Sequence, residues 1–130
     1  MQIKTSEEIE IPVDGVTLLG NLEIPKEAKT IIVFVHGSGS SRFSSRNRFV
    51  ANVLEKAGLG TLLMDLLTQK EEEIDNVTAE LRFDIPLLAK RVLGATKWLK
   101  KYPNTQSLSV AYFGASTGAA AALIAAALDK

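Results

Sequence analysis

Gly114-Ala115-Ser116-Thr117-Gly118 follows a short apolar run, Leu108 to Phe113, and precedes an unbroken alanine-rich segment from Ala119 to Leu128. Strand, tight turn and helix in that order are the context a G-x-S-x-G nucleophile elbow requires. Glycines on both sides let the backbone turn sharply enough to lift a serine hydroxyl clear of a sheet. The helix that follows aims its first free N–H groups at negative charge forming near that serine. Ser116 is therefore the first candidate nucleophile. The competing reading is a small-residue turn that merely lets helix and strand pack closely. A serine hydroxyl needs a base to remove its proton, yet the only histidine is His36, far upstream, and Asp129 is the only acid after Ser116.

Two further runs resemble the strand before the elbow. Thr30 to Val35 (T-I-I-V-F-V) and Thr61 to Met64 are apolar on both faces, as parallel strands covered by helices must be. Between them, Phe49, Val50, Val53, Leu54 and Ala57 keep helical spacing, and Gly58 or Gly60 stops that helix. Leu66 to Ala79 is polar and reads as a long loop or a short exposed helix. Asp84 can cap a helix carrying Pro86 in its first turn, with Leu88, Val92, Ala95 and Leu99 as its buried stripe and Tyr102-Pro103 at its end. At the N-terminus, Glu8 to Val13 alternates charged and apolar residues. Asp14-Gly15 supplies a hairpin turn, and Thr17 to Ile24 is the partner strand. The expected architecture is a three-layer α/β/α sandwich, an N-terminal antiparallel hairpin followed by a parallel sheet. No repeat or linker divides the chain.

His36-Gly37-Ser38-Gly39-Ser40-Ser41 follows the first parallel strand, at the end where open α/β sheets bind ligands. A Gly-rich loop there can point a backbone N–H at a developing oxyanion, and the residue after the nucleophile supplies a second donor. Ser38 and Thr117 N–H are the expected pair. His36 sits inside this loop, where fixing the backbone suits it better than acting as general base; Gly37 and Gly39 complete the supporting loop. Asp65 ends the middle parallel strand and can orient a base, bond the loop or simply turn the chain. Arg42, Arg46 and Arg48 can attract an anion, although a solvated helix start is the commoner explanation. Glu71 to Glu73 reads as a solvated face. No ligand spacing for a transition metal appears, and G-S-G-S-S lacks the Gly-Lys of a phosphate loop.

Composition narrows the classes. Of 130 residues, 46% are hydrophobic and 23% charged, the balance of a soluble globular protein. Fifteen basic side chains cancel fifteen acidic ones, so no global field recruits nucleic acid or an anionic membrane. The absence of cysteine removes disulfides and thiolate sites and fits a reducing cytoplasm. The N-terminus has no apolar signal region, and no run is long enough to span a membrane.

Taken together, V-F-V-H-G-S-G-S-S, L-L-M-D-L-L-T and Y-F-G-A-S-T-G-A-A, behind a hairpin, resemble an α/β-hydrolase of the dienelactone-hydrolase-like group. The resemblance runs from the hairpin to the helix after Ser116. It implies a serine hydrolase acting on small-molecule esters or related acyl compounds without a cofactor, with Ser116 as nucleophile and Gly37-Ser38 at the oxyanion position. Dienelactone hydrolases proper carry cysteine at the nucleophile, so an esterase-like activity is the reading. In this superfamily the acid and histidine follow the nucleophile. The expectation is that residues 1–130 are a single incomplete domain, the N-terminal part of such an enzyme, with the acid and base of the triad absent. The alternative is an inactive truncated or engineered scaffold that self-associates. A nucleotide-binding domain using Gly114 to Gly118 is the weakest reading, since that fingerprint belongs after a sheet's first strand. Leu108 to Phe113 is expected at an apolar sheet edge, pairing with a second copy or a complementary C-terminal segment.

Overall fold

The computed structural model describes residues 3–37, 41–81, 84–114 and 117–128. A hairpin opens the chain: β1 (Ile3–Val13) and β2 (Val16–Pro25) pair in antiparallel register, with Val13 opposite Val16. Asp14 and Gly15 both take positive φ, 46° and 84°, the conformation of a type I′ turn that matches the twist of its strands. β1 begins earlier than the alternation from Glu8 announced. Then follow β3 (Thr30–Val35), α1 (Ser45–Lys56), β4 (Gly60–Met64), α2 (Gln69–Thr78), α3 (Ile85–Leu99), β5 (Ser109–Gly114) and α4 (Thr117–Leu128). The sheet order is β1-β2-β4-β3-β5: β2 is antiparallel to β4, while β3 lies parallel between β4 and β5. β1 and β5 are the two edge strands among the described residues, β5 as expected.

Period-two alternation sorts the side chains between two cores. Ile31, Val33 and Val35 of β3, with Leu62 and Met64 of β4, point to the face covered by α3 and α4. Phe34 and Leu63 point to the other, under α1. The three layers are thus α1, sheet, and α3 with α4. On α3 the stripe Leu88, Val92, Ala95 and Leu99 is buried, and Asp84 caps the helix by accepting from the Leu87 N–H.

α1 departs from its pattern. Phe49 is 69% and Val53 51% exposed, whereas Ala51 and Glu55 are buried and Val50 and Leu54 partly so. The inward face is rotated because Ala51 lets the helix approach Phe34 and Leu63. Glu55 reaches Thr61, whose hydroxyl donates to its carboxylate at 2.5 Å. Burial pushes the Glu55 carboxyl up. The helix ends at Ala57, with Gly58 at φ 91° taking the left-handed position.

The polar segment is also more ordered than its composition conveys. Thr68 and Glu71 form a reciprocal capping box that starts α2. Glu71, read above as solvated, is instead held by both terminal nitrogens of buried Arg91 on α3, at 2.6 and 2.8 Å. No helix among the described residues is long and apolar enough to cross a membrane.

Arg91 holds the Glu71 carboxyl down from the usual value of 4.5 to about 2. A lowered native pKa stabilises the fold fully above 4.5, and the contribution is lost as pH falls towards 2. Glu71→Gln keeps a capping acceptor and removes the charge. In denaturant titrations it is expected to lose about 2 kcal/mol at pH 7, with the gap from the parent closing steadily between pH 4.5 and 2. A gap that stays constant across that window would exclude the ion pair as its origin.

Candidate active site

Because β3 and β5 are parallel neighbours, with Val35 opposite Gly114, their C-terminal ends emerge side by side. The chain leaving β3 is His36-Gly37; the chain leaving β5 re-enters structure as α4 at Thr117. Ser38, Gly39 and Ser116 lie outside the described residues, so what the structure fixes is the frame around them. That frame is tight. A Cβ on Gly118 would collide with the carbonyl oxygens of Val35 and His36, and one on Gly114 would lie 2.8 Å from Gly118 O and 2.9 Å from Ala119 Cα. The two glycines thus bring the first turn of α4 directly against the end of β3, where the Gly/Ser loop departs. The helix N-terminus and the chain leaving β3 meet by close backbone approach.

His36 is committed on both sides of its ring. The Leu66 N–H donates to Nε2 at 3.0 Å, and Nδ1 lies 3.0 Å from the Gly37 carbonyl. A backbone N–H can only donate, so Nε2 carries the lone pair and Nδ1–H donates to Gly37. The imidazole therefore bridges the loop after β3 to the segment after β4, and taking a proton from serine would break that bridge.

Asp65 and Arg42 form the next link. The Asp65 carboxylate accepts from Arg42 N–H at 2.8 Å and from its Nε at 3.0 Å. The same guanidinium donates to Asn21 at 2.8 Å and Glu8 at 3.3 Å. Arg42 is only 7% exposed, which corrects its reading as part of a solvated helix start and leaves it no free face for an anion. Asp65 is occupied by Arg42 and does not touch the imidazole's nitrogens. Arg46 and Arg48 remain exposed, with the Arg42 and Arg48 guanidinium groups 4.3 and 5.1 Å from the centre of the Phe43 ring. The Leu66 carbonyl accepts from Arg91 at 3.0 Å, so both backbone groups of Leu66 are held by side chains from other elements.

Asn21, Arg91 and Phe43 were not singled out from the sequence. Arg91 carried a signal, since it interrupts the apolar stripe of α3. The T-x-x-E pattern at Thr68 and Glu71 was likewise readable as a cap. Beside these residues a groove of about 480 Å³ runs from Phe43 to Gln69 and Glu72 at the start of α2. Burial, then nearby Asp65, pushes the Glu72 carboxyl up, and His36 opposes them. Among the described residues no group of three or more His, Cys, Asp and Glu is arranged to hold a metal ion.

No family model matches the chain. Its structure is similar to a dienelactone hydrolase from Anabaena variabilis ATCC 29413, with a TM-score of 0.96 and 59% identity, covering 99% of this chain and 59% of that one. Est1E from Butyrivibrio proteoclasticus has the same fold at TM-score 0.74 and 19% identity, over 94% of this chain and 46% of its own. A protein of Mycobacterium tuberculosis, provisionally named a phosphoribosyl transferase, is 54% identical over 122 residues, 93% of this chain but 26% of that protein. The chain thus spans about three fifths of the Anabaena hydrolase and about a quarter of the mycobacterial protein. A name given to that longer protein as a whole does not locate its activity in the matched quarter.

Gly118→Ala tests the frame. Its methyl group meets two backbone carbonyls rather than a flexible side chain, so relief requires moving α4 or β3. Overpacking of this kind is expected to destabilise by about 2–3 kcal/mol in chemical denaturation. A variant as stable as the parent would show that α4 does not start against β3.

Proposed function

Since the chain folds as an α/β-hydrolase of the dienelactone-hydrolase-like group, we propose that it carries the nucleophile and oxyanion half of a serine hydrolase acting on carboxylic esters or related acyl compounds. The observation that carries this reading is the contact at Gly118, which brings the N-terminal turn of α4 against the start of the Gly/Ser loop. In the proposed reaction Ser116 Oγ attacks the acyl carbon, the carbonyl electrons move onto oxygen, and the Ser38 and Thr117 N–H groups receive that charge. The alcohol then leaves with a proton, and water releases the acyl group. One oxyanion donor is worth about 3–4 kcal/mol of barrier in acyl transfer. His36, Gly37, Gly39 and Asp65 hold the loop, Asp65 through Arg42.

The general base is a different matter. With both His36 nitrogens engaged and no second histidine in the sequence, the reading assigns the base and its acid to residues outside these 130. They belong either to a longer polypeptide, of which residues 1–130 form part of one hydrolase domain, or to a partner chain. The substrate class rests on the relatives: one is called a dienelactone hydrolase, and Est1E is known with ferulic acid bound. The second reading, a scaffold without turnover, is favoured by the same shortage of a base. Both readings share the outer edge of β5, which has no neighbouring strand among the described residues and which we assign to pairing with a second copy or with a complementary C-terminal segment.

A fluorophosphonate probe separates the two. Slow stoichiometric labelling, lost in Ser116→Ala, and a p-nitrophenyl acetate burst of one acyl group per chain without sustained turnover are expected. Absence of labelling in a chain folded by circular dichroism would leave only the scaffold. In light scattering the mass is expected to rise towards a dimer with concentration; a monomer throughout would remove self-pairing at the β5 edge.

A further inference from the structure

An unassigned groove lies between the hairpin tip and the outer face of α3. Lys90, Gly94 and Lys97, spaced by four and three residues, form one line along α3, and Lys101 follows two residues beyond the helix end at Leu99. At 1.5 Å rise per residue, Lys90 and Lys97 lie about 10 Å apart along the axis. Gly94 leaves the gap in that row. A Cβ there would lie 2.5 Å from Val13 Cγ1, so the hairpin tip is pressed onto the bare helix backbone. The result is a groove of about 510 Å³ lined by Pro12, Val13, Leu93 and Trp98, with the three lysines along it. This is the size range of small-molecule sites.

Two observations give the groove a chemistry. Its wall is preset: Trp98 stacks on Tyr102 with ring centres 4.3 Å apart and planes 18° apart, and the Tyr102 hydroxyl donates to Glu7 of β1 at 2.5 Å. Its charge is unbalanced: Lys90, Lys97 and Lys101 make no ion pair among the described residues, and Asp14 is the only acid lining the groove. A solvated lysine face does not need a fixed aromatic beside it. We propose that this groove binds an aromatic polyanion of the nucleoside polyphosphate class. The flat ring lies against Leu93 and Trp98, since Val13 already fills the place at Gly94, and the phosphate oxygens follow the lysines. None of the lining residues belongs to the Ser116 site, so the proposal stands independently of the hydrolase reading.

Trp98 is the only tryptophan, which makes its fluorescence a direct reporter. The 130-residue chain is titrated with ATP, inorganic triphosphate and adenosine, with calorimetry as a second readout. ATP is expected to saturate with Kd below about 1 mM, triphosphate to bind about tenfold more weakly, adenosine more weakly still, and added salt to weaken the two anions. Lys97→Glu is expected to weaken ATP about tenfold, while Lys56→Glu on α1 leaves it unchanged. If Lys97→Glu is misfolded by circular dichroism, Lys101→Gln takes its place, with a smaller loss. No saturable response to ATP, equal binding of triphosphate and ATP, or a folded lysine variant that binds like the parent each overturns the proposal.

Discussion

The approach of Gly118 to the carbonyl oxygens of Val35 and His36 is the constraint from which the rest of this molecule follows. Backbone packs against backbone there with no side chain between them. Such contact is open only to glycine, and only if β3 and β5 are in the register that sets Val35 opposite Gly114. Parallel pairing supplies the register, and the apolar runs of both strands supply the pairing. A slip of one residue would turn Ile31, Val33 and Val35 to the wrong face and separate the helix from the loop in the same step.

Close approach fixes one side of the frame, and three side chains fix the segment around Leu66. His36 grips Leu66 by its N–H, Arg91 by its carbonyl, and Arg42 fastens to Asp65 just before it. Two of the three are buried arginines, whose desolvation is unfavourable unless every donor is used. Arg42 spreads over Asp65, Asn21 and Glu8, and Arg91 over Glu71 and Leu66. Burying two such networks makes more sense as a way of fixing geometry than as a source of net stability, because apolar packing gives stability more cheaply.

What the sequence made legible was whatever repeats with a period or punctuates the chain. The three parallel strands, the Asp14-Gly15 turn, the Asp84 cap and the α3 stripe all have local causes and lie where the pattern put them, although β5, apolar as it is, has no fully buried residue. The α1 face was misread because Phe49 and Val53 fit helical spacing as well as Val50 and Leu54 do; Ala51 decided between them by allowing close contact with Phe34 and Leu63. Arg42 and Glu71 were misread for a different reason. Their partners stand 23 and 20 residues away, and no local rule distinguishes a charge bound for such a partner from one bound for water. The site divides in the same way. Its glycines were readable as spacing, while the engagement of both His36 nitrogens depends on Leu66, which only the fold brings near.

That engagement bears on how catalysis is divided in this fold. In a triad the oxyanion donors and the base are distinct contributions, and removing the base leaves a residual enhancement of about 10³–10⁴ over water from the donors and binding. Donors act by being fixed before charge develops, so in the proposed reaction a frame held at Gly118 and Leu66 would keep its part of the effect whatever supplies the base. An imidazole tied into that frame cannot also swing to a serine. On the proposed reading, the residue that looks most like the base by type serves geometry instead, and the proton acceptor comes from elsewhere. In the proposed enzyme, a base brought by other residues would meet donors fixed beforehand, so that its arrival would be a matter of positioning one side chain.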